Sequence, residues 1–179
     1  LGAFLLAGVC FRVMVARRRA RSRAAEGILV VSDHRDAVFD DPVAKAACHE
    51  WVGDFRTVAG DDERARSAYE RAETGYDDAD PDDPVSWSTR PLLQAGTDTV
   101  LQLSRPNDLQ WDDIHGSSPD DALVHRARFK RNRLASLLQN RVAAGKLHAP
   151  RGSTEYGTMS YRCPDCGSSD VNYVANTVL

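Results

Sequence analysis

Apolar residues recur along this chain in three patterns. An almost unbroken apolar run opens it, stripes at helical period fill the middle, and short extended runs lie near the end. The opening stretch "LGAFLLAGVCFRVMVARRRARSR" is apolar from Leu1 to Ala16 except for Arg12, and then turns basic. Sixteen helical residues span ~24 Å, short of the ~30 Å hydrocarbon core of a bilayer. The run therefore reads as the second half of a transmembrane helix whose upstream residues are missing. Arg12 snorkels in that reading, and Arg17, Arg18, Arg19, Arg21 and Arg23 form the flank that holds the downstream chain on the cytoplasmic side. The alternative is a buried or interfacial helix end with a solvated arginine tail. A signal peptide fits less well, because its charges precede the apolar stretch.

Next, "GILVVSD" (Gly27–Asp33) is short, rich in β-branched residues and closed by polar ones, which predicts one strand. Two helices come after it. Asp40 or Asp41 caps the first, with Pro42 at its first position, an apolar stripe through Val43, Ala46, Ala47, Trp51 and Val58, and Gly60 as the stop. The second opens on Asp61 and Asp62, buries Ala65, Ala68, Tyr69 and Ala72, and stops at Gly75. Residues 76–91 hold five Asp and three Pro and read as an acidic linker. Beyond it, "LLQAGTDTVLQLSR" predicts a helix and "NDLQWDDIHGSS" a shorter turn or helix.

The best-specified helix runs from a Ser118 cap and Pro119 to a Gly145 stop. Leu123, Ala127, Leu134, Leu138 and Val142 line one side, and Arg126, Arg128, Lys130, Arg131 and Arg133 crowd its first half. That basic cluster is a solvated face folded back on the acidic middle of the chain, a contact for nucleic-acid phosphates, or a contact for anionic lipid.

Charge is laid out in blocks. Of 20 Asp, 6 Glu, 20 Arg and 3 Lys, residues 1–25 carry +6 with no acid, 26–125 carry −15, and 126–151 carry +8 with no acid. Such segregation bears on partners rather than on fold. The Asp- and Arg-rich, Lys-poor usage resembles a haloarchaeal composition. Both ends read as cut, since the chain opens inside an apolar run and closes inside an expected strand.

Two resemblances attach to the helices. The helical pair, through Val52, Gly53, Gly60, Ala65, Tyr69 and Ala72, is similar to one tetratricopeptide repeat over about 30 residues, although no second copy is present. Such a pair implies a scaffold surface for a protein partner. Leu134 to Arg162, a helix followed by a hairpin with basic residues, resembles the recognition helix and wing of winged-helix DNA-binding domains.

Cys163 and Cys166 in "CPDCG" have the spacing of two thiolate ligands on one tetrahedral ion. The stretch resembles the first knuckle of a zinc ribbon and implies structural zinc with Cys163 and Cys166 as ligands. The second knuckle is absent from the sequence, so truncation, or completion by His148, His49 or Cys48, or by a second chain, remains open. A cytoplasmic body keeps these thiols reduced. His34 near Asp33 and Asp36, and His115 near Asp112 and Asp113, are weak acid–base candidates, and no catalytic constellation stands out.

The expectation is a mainly α protein. It has an N-terminal apolar helix with its arginine flank (1–25), a strand and helical hairpin (26–75), an acidic linker (76–91), a helical region with the basic helix (92–147) and a small β, zinc-ribbon-like end (148–179). Its expected function is non-enzymatic. It is a membrane-tethered zinc-ribbon protein that meets nucleic acid or anionic lipid through the basic helix, or a protein partner through the hairpin, with no small-molecule substrate. The alternatives are a soluble winged-helix-like DNA-binding regulator and a hairpin scaffold.

Overall fold

The computed structural model describes residues 1–37, 41–79, 99–106, 109–118 and 121–145. Every element among them is helical: α1 (Gly2–Val13), α2 (Arg17–Ala37), α3 (Pro42–Ala59), α4 (Asp62–Asp77), α5 (Thr99–Ser104), α6 (Trp111–His115), α7 (Ala122–Phe129), a π segment (Lys130–Leu134) and α8 (Ala135–Ala144). The expected β-rich end and its hairpin, 148–179, lie outside the described residues, as do most of the acidic linker and Pro119.

The helix-end chemistry reads directly into the α3–α4 hairpin. The Asp41 carboxylate accepts from the Ala44 N–H at 2.9 Å, Pro42 opens the helix, and Gly60 ends it in the left-handed region at φ 77°. Gly75 does not stop α4, which continues to Asp77. A Cβ on Gly75 would sit 2.9 Å from the Ala46 Cβ, so this glycine lets α4 approach α3 rather than ending a helix. Gly53 does the same from the other side, its missing Cβ leaving room for the Tyr69 ring.

The strand expected at Gly27–Asp33 is instead part of α2. The buried positions Ala20, Ala24, Gly27 and Val31 are spaced four, three and four apart, the period of a helix face, whereas Leu29 and Val30 are exposed. Gly27 lies against the Phe55 ring, so packing on α3 decides the outcome over the local β preference of "ILVV". The arginines at 17–23 are thus the first turns of α2 and not a tail.

Nor is α1 left free. Leu5 and Val9 are fully buried, in one cluster with Val31, Trp51, Phe55, Val58, Leu101, Leu134 and Leu138. Among the described residues no helix is long and apolar enough to cross a membrane. A second, smaller cluster joins Val43, Ala46, Ala47, Ala72, Tyr76, Leu123, Val124 and Ala127. Along both α3 and α7 the residues of the small cluster come first and those of the large one after, so the two clusters meet near Glu50 and Arg126.

Smaller devices close the bundle. Arg141 donates to the carbonyls of Ser104 (3.2 Å) and Arg105 (2.6 Å), capping the negative end of α5. The long basic helix is broken in character by the π segment at Lys130–Leu134 and ends at Gly145 with φ 65°.

Candidate functional site

Where the two apolar clusters meet, the protein buries charge. Glu50 and Asp54 lie one turn apart on α3, and Arg126 and Lys130 lie one turn apart at the end of α7 and the start of the π segment. All four are at most 1% exposed. Arg126 grips Glu50 with both arms of its guanidinium, Nε to Oε1 at 2.8 Å and Nη2 to Oε2 at 2.7 Å. The Lys130 ammonium stands between the two carboxylates, 2.8 Å from Glu50 Oε1 and 2.9 Å from Asp54 Oδ2. Because Glu50 meets Arg126 and Asp54 meets Lys130, α3 and α7 run in the same direction, with α4 antiparallel to both.

Helix α4 supplies the remaining donors. Tyr76 Oη donates to Glu50 Oε2 at 2.7 Å and Tyr69 Oη donates to Asp54 Oδ1 at 2.7 Å. With the Tyr69 proton so used, the Thr57 hydroxyl donates to Tyr69 Oη at 3.1 Å. The network holds two negative and two positive side chains, so it is neutral as a unit.

Burial opposes ionisation of Glu50, yet Arg126 and Lys130 together hold its carboxyl below the usual carboxylate range. Asp54 goes the other way. Burial, reinforced by the nearby Glu50 charge and only partly offset by Lys130, pushes its carboxyl up to about 6. Burial also raises both phenols well above their ordinary range, so Tyr69 and Tyr76 stay protonated donors. A carboxyl near 6 suits acid–base chemistry, but no member of this network is reachable by a substrate. The arrangement is built to hold three helices together.

The basic-helix residues expected to touch phosphate or lipid divide accordingly. Arg126 and Lys130 are buried in the network, where no phosphate can reach them. Arg128 and Arg131 both pair with Glu73 on α4, at 2.7 and 2.8 Å. Arg133 is exposed, its guanidinium 5.9 Å from the centre of the Phe129 ring. Four of the five cations thus fold back on acids in the middle of the chain, and Arg128 and Arg133 keep exposed side chains.

The expected zinc ligands Cys163 and Cys166, with His148, lie outside the described residues. Cys48 and His49 are on α3. As neighbours on a helix they point about 100° apart. Cys48 belongs to the core and burial pushes its thiol up, while His49 is half-buried at a surface groove and burial, then Arg71, lowers its basicity. No group of three metal-ligating side chains occurs among the described residues. His34 is exposed on α2, not on a turn after a strand, and Asp113 is spent in a capping box with Gln110 at the start of α6.

The charge network escapes a reading for catalytic motifs. Its signal is that Glu50 and Asp54 interrupt the apolar stripe of α3 four residues apart, matched by Arg126 and Lys130 in the stripe that runs from α7 into the π segment. No family model, curated protein or solved structure matches this chain.

Proposed function

We propose that this chain is a non-catalytic, membrane-associated module of the cytoplasmic face that binds a protein partner and holds structural zinc at Cys163 and Cys166. The observation that carries the reading is how the positive charge is used. The cations of the basic helix are largely committed to Glu50, Asp54 and Glu73, while Arg17, Arg18, Arg19, Arg21 and Arg23 stay on the surface. A partner protein finds its surface on the α3–α4 hairpin, where a groove of about 510 Å³ is lined by Pro42, Lys45, His49, Glu70, Arg71 and Asp78. That mixed-sign lining suits a peptide better than a polyphosphate.

Fractionation of cells expressing the full chain tests the reading. The chain is expected in the membrane pellet, with no salt-sensitive binding to duplex DNA. A soluble chain that binds DNA would instead establish the winged-helix-like regulator. Zinc content of the reduced full chain tests the knuckle: metal lost on Cys163→Ser supports it, and equal metal in both proteins refutes it.

A further inference from the structure

The corner between α1 and α2 is built from features that fit poorly in water and well at an anionic bilayer. Only Met14, Val15 and Ala16 separate the two helices. Met14 is 62% exposed and Val15 69%, the two most exposed large apolar residues of the corner. Val15 is also the one non-glycine residue with positive φ among the described residues, at 59°. A β-branched side chain is strained there. The fold thus holds a strained valine at its surface where a glycine would sit more easily.

Four consecutive N–H groups of the corner are paired from within. The N–H groups of Met14, Val15, Ala16 and Arg17 bond to the carbonyls of Cys10, Arg12, Phe11 and Val15, at 2.8–3.0 Å. A tip whose N–H groups are already paired gives up fewer hydrogen bonds to water on entering the interfacial region.

Arginine surrounds this tip. Arg17, Arg18 and Arg19 occupy the first turn of α2, all exposed, and Arg21 and Arg23 lie just beyond. They crowd the positive end of the helix dipole and repel one another at i and i+4, an arrangement unfavourable for an isolated helix. Arg19 stacks 5.8 Å over the Phe11 ring, and a notch of about 270 Å³ opens between Phe11, Arg19, Ser22 and Arg23. Glu26 takes contacts from Ser22 and Arg23, and Arg17 and Arg18 have no ion-pair partner among the described residues.

We infer that the α1–α2 corner docks on an anionic lipid bilayer, with Met14 and Val15 inserted below the headgroups and Arg17, Arg18 and Arg19 on the lipid phosphates. An apolar tip and a basic patch are the two signals that stable peripheral binding requires. The inference rests on the membrane-associated reading above, but replaces a spanning helix with an interfacial contact.

Vesicle flotation of the purified full chain tests it, comparing phosphatidylcholine alone with phosphatidylcholine containing phosphatidylglycerol, at low and high salt. The chain is expected to float with the anionic vesicles and not with the neutral ones. Replacing Arg17, Arg18 and Arg19 together by Gln weakens binding roughly 100-fold. Met14→Asp with Val15→Asp weakens it roughly tenfold or more. Val15→Gly separates the effect from folding, because it lowers binding while leaving the melting temperature unchanged or higher. Leu29→Asp, on an exposed apolar residue about three turns into α2, leaves binding intact.

Equal binding to neutral and anionic vesicles, or equal loss from Leu29→Asp, overturns the assignment. So does tight binding to duplex DNA that the Met14 and Val15 variants leave unchanged. If the chain pellets with cell membranes while the corner variants float like wild type, the corner is wrong and the membrane-associated reading stands. If it neither pellets nor floats, both fall.

Discussion

Lys130 is the residue on which the buried network turns, and Lys130→Met is the most informative single change. The ammonium is fully enclosed and bridges Glu50 and Asp54 at 2.8 and 2.9 Å. Methionine fills similar volume with no charge. Glu50 would keep its two-armed grip from Arg126 and its bond from Tyr76, whereas Asp54 would keep only the Tyr69 hydroxyl. The damage therefore concentrates on one buried carboxylate without a cation. Breaking such a pair costs about 3–5 kcal/mol, equivalent to roughly 6–20 °C in melting temperature for a chain of this size.

The pH dependence identifies the cause. The Asp54 carboxyl already sits at about 6, above its ordinary 3.8, so the folded state binds the proton more tightly than the unfolded one. Its contribution to stability is therefore fully present below the ordinary carboxylate range and is lost as pH rises through the folded value. Without Lys130 that value moves higher still. The deficit of Lys130→Met against wild type is expected to be about 1–2 kcal/mol at pH 5, where Asp54 is neutral, and the full about 3–5 kcal/mol at pH 7.5. Urea unfolding followed by far-ultraviolet circular dichroism at both pH values measures it. Asp54→Asn in the Lys130→Met background should restore most of the loss at pH 7.5. A deficit below about 1 kcal/mol, the range of an exposed pair, a deficit equal at both pH values, or no recovery from Asp54→Asn would refute the reasoning.

Asp54→Asn alone should abolish the fall in wild-type stability as pH rises through about 6, a component of roughly 3 kcal/mol in all, visible as a flatter curve of melting temperature against pH. Tyr76→Phe removes one buried hydrogen bond to a charged acceptor and should cost about 1.5–3 kcal/mol in urea unfolding. Gly53→Ala would place a methyl 2.4 Å from the Tyr69 ring and should lose about 1–3 kcal/mol by the same measurement, with perturbed Tyr69 ring signals in NMR.

The features legible in the sequence are those that depend on neighbours along the chain. Asp41, Pro42 and Gly60 delimit α3 because capping is a matter of a few consecutive residues, and the α3–α4 pair arises from two stripes and a short connection. Gly75 and "ILVV" mislead because their roles depend on something distant: Ala46 for the glycine, Phe55 for the face that carries Gly27. The arginine and lysine of the basic helix mislead for the same reason. Their partners stand 76 residues away on α3, and a cation's exposure cannot be known until its counter-ion is placed.

The charge network also explains why the α7 helix seats on α3 and α4 in one register. Apolar stripes tolerate sliding, since one aliphatic contact resembles another a turn away. Glu50 and Asp54 do not, because a shift of α7 by one turn would set Arg126 beside Asp54, move Lys130 beyond both carboxylates and leave Glu50 buried without a cation. An unpaired buried charge costs several kcal/mol, more than the apolar contacts could recover by repacking. Tyr69 and Tyr76, seven residues apart on α4 and bonded to Asp54 and Glu50 respectively, fix the third helix in the same way. The network therefore contributes less to net stability than to selecting one arrangement of three helices. That arrangement in turn commits Arg126 and Lys130 of the basic helix inward, while the arginines that open α2 stay exposed.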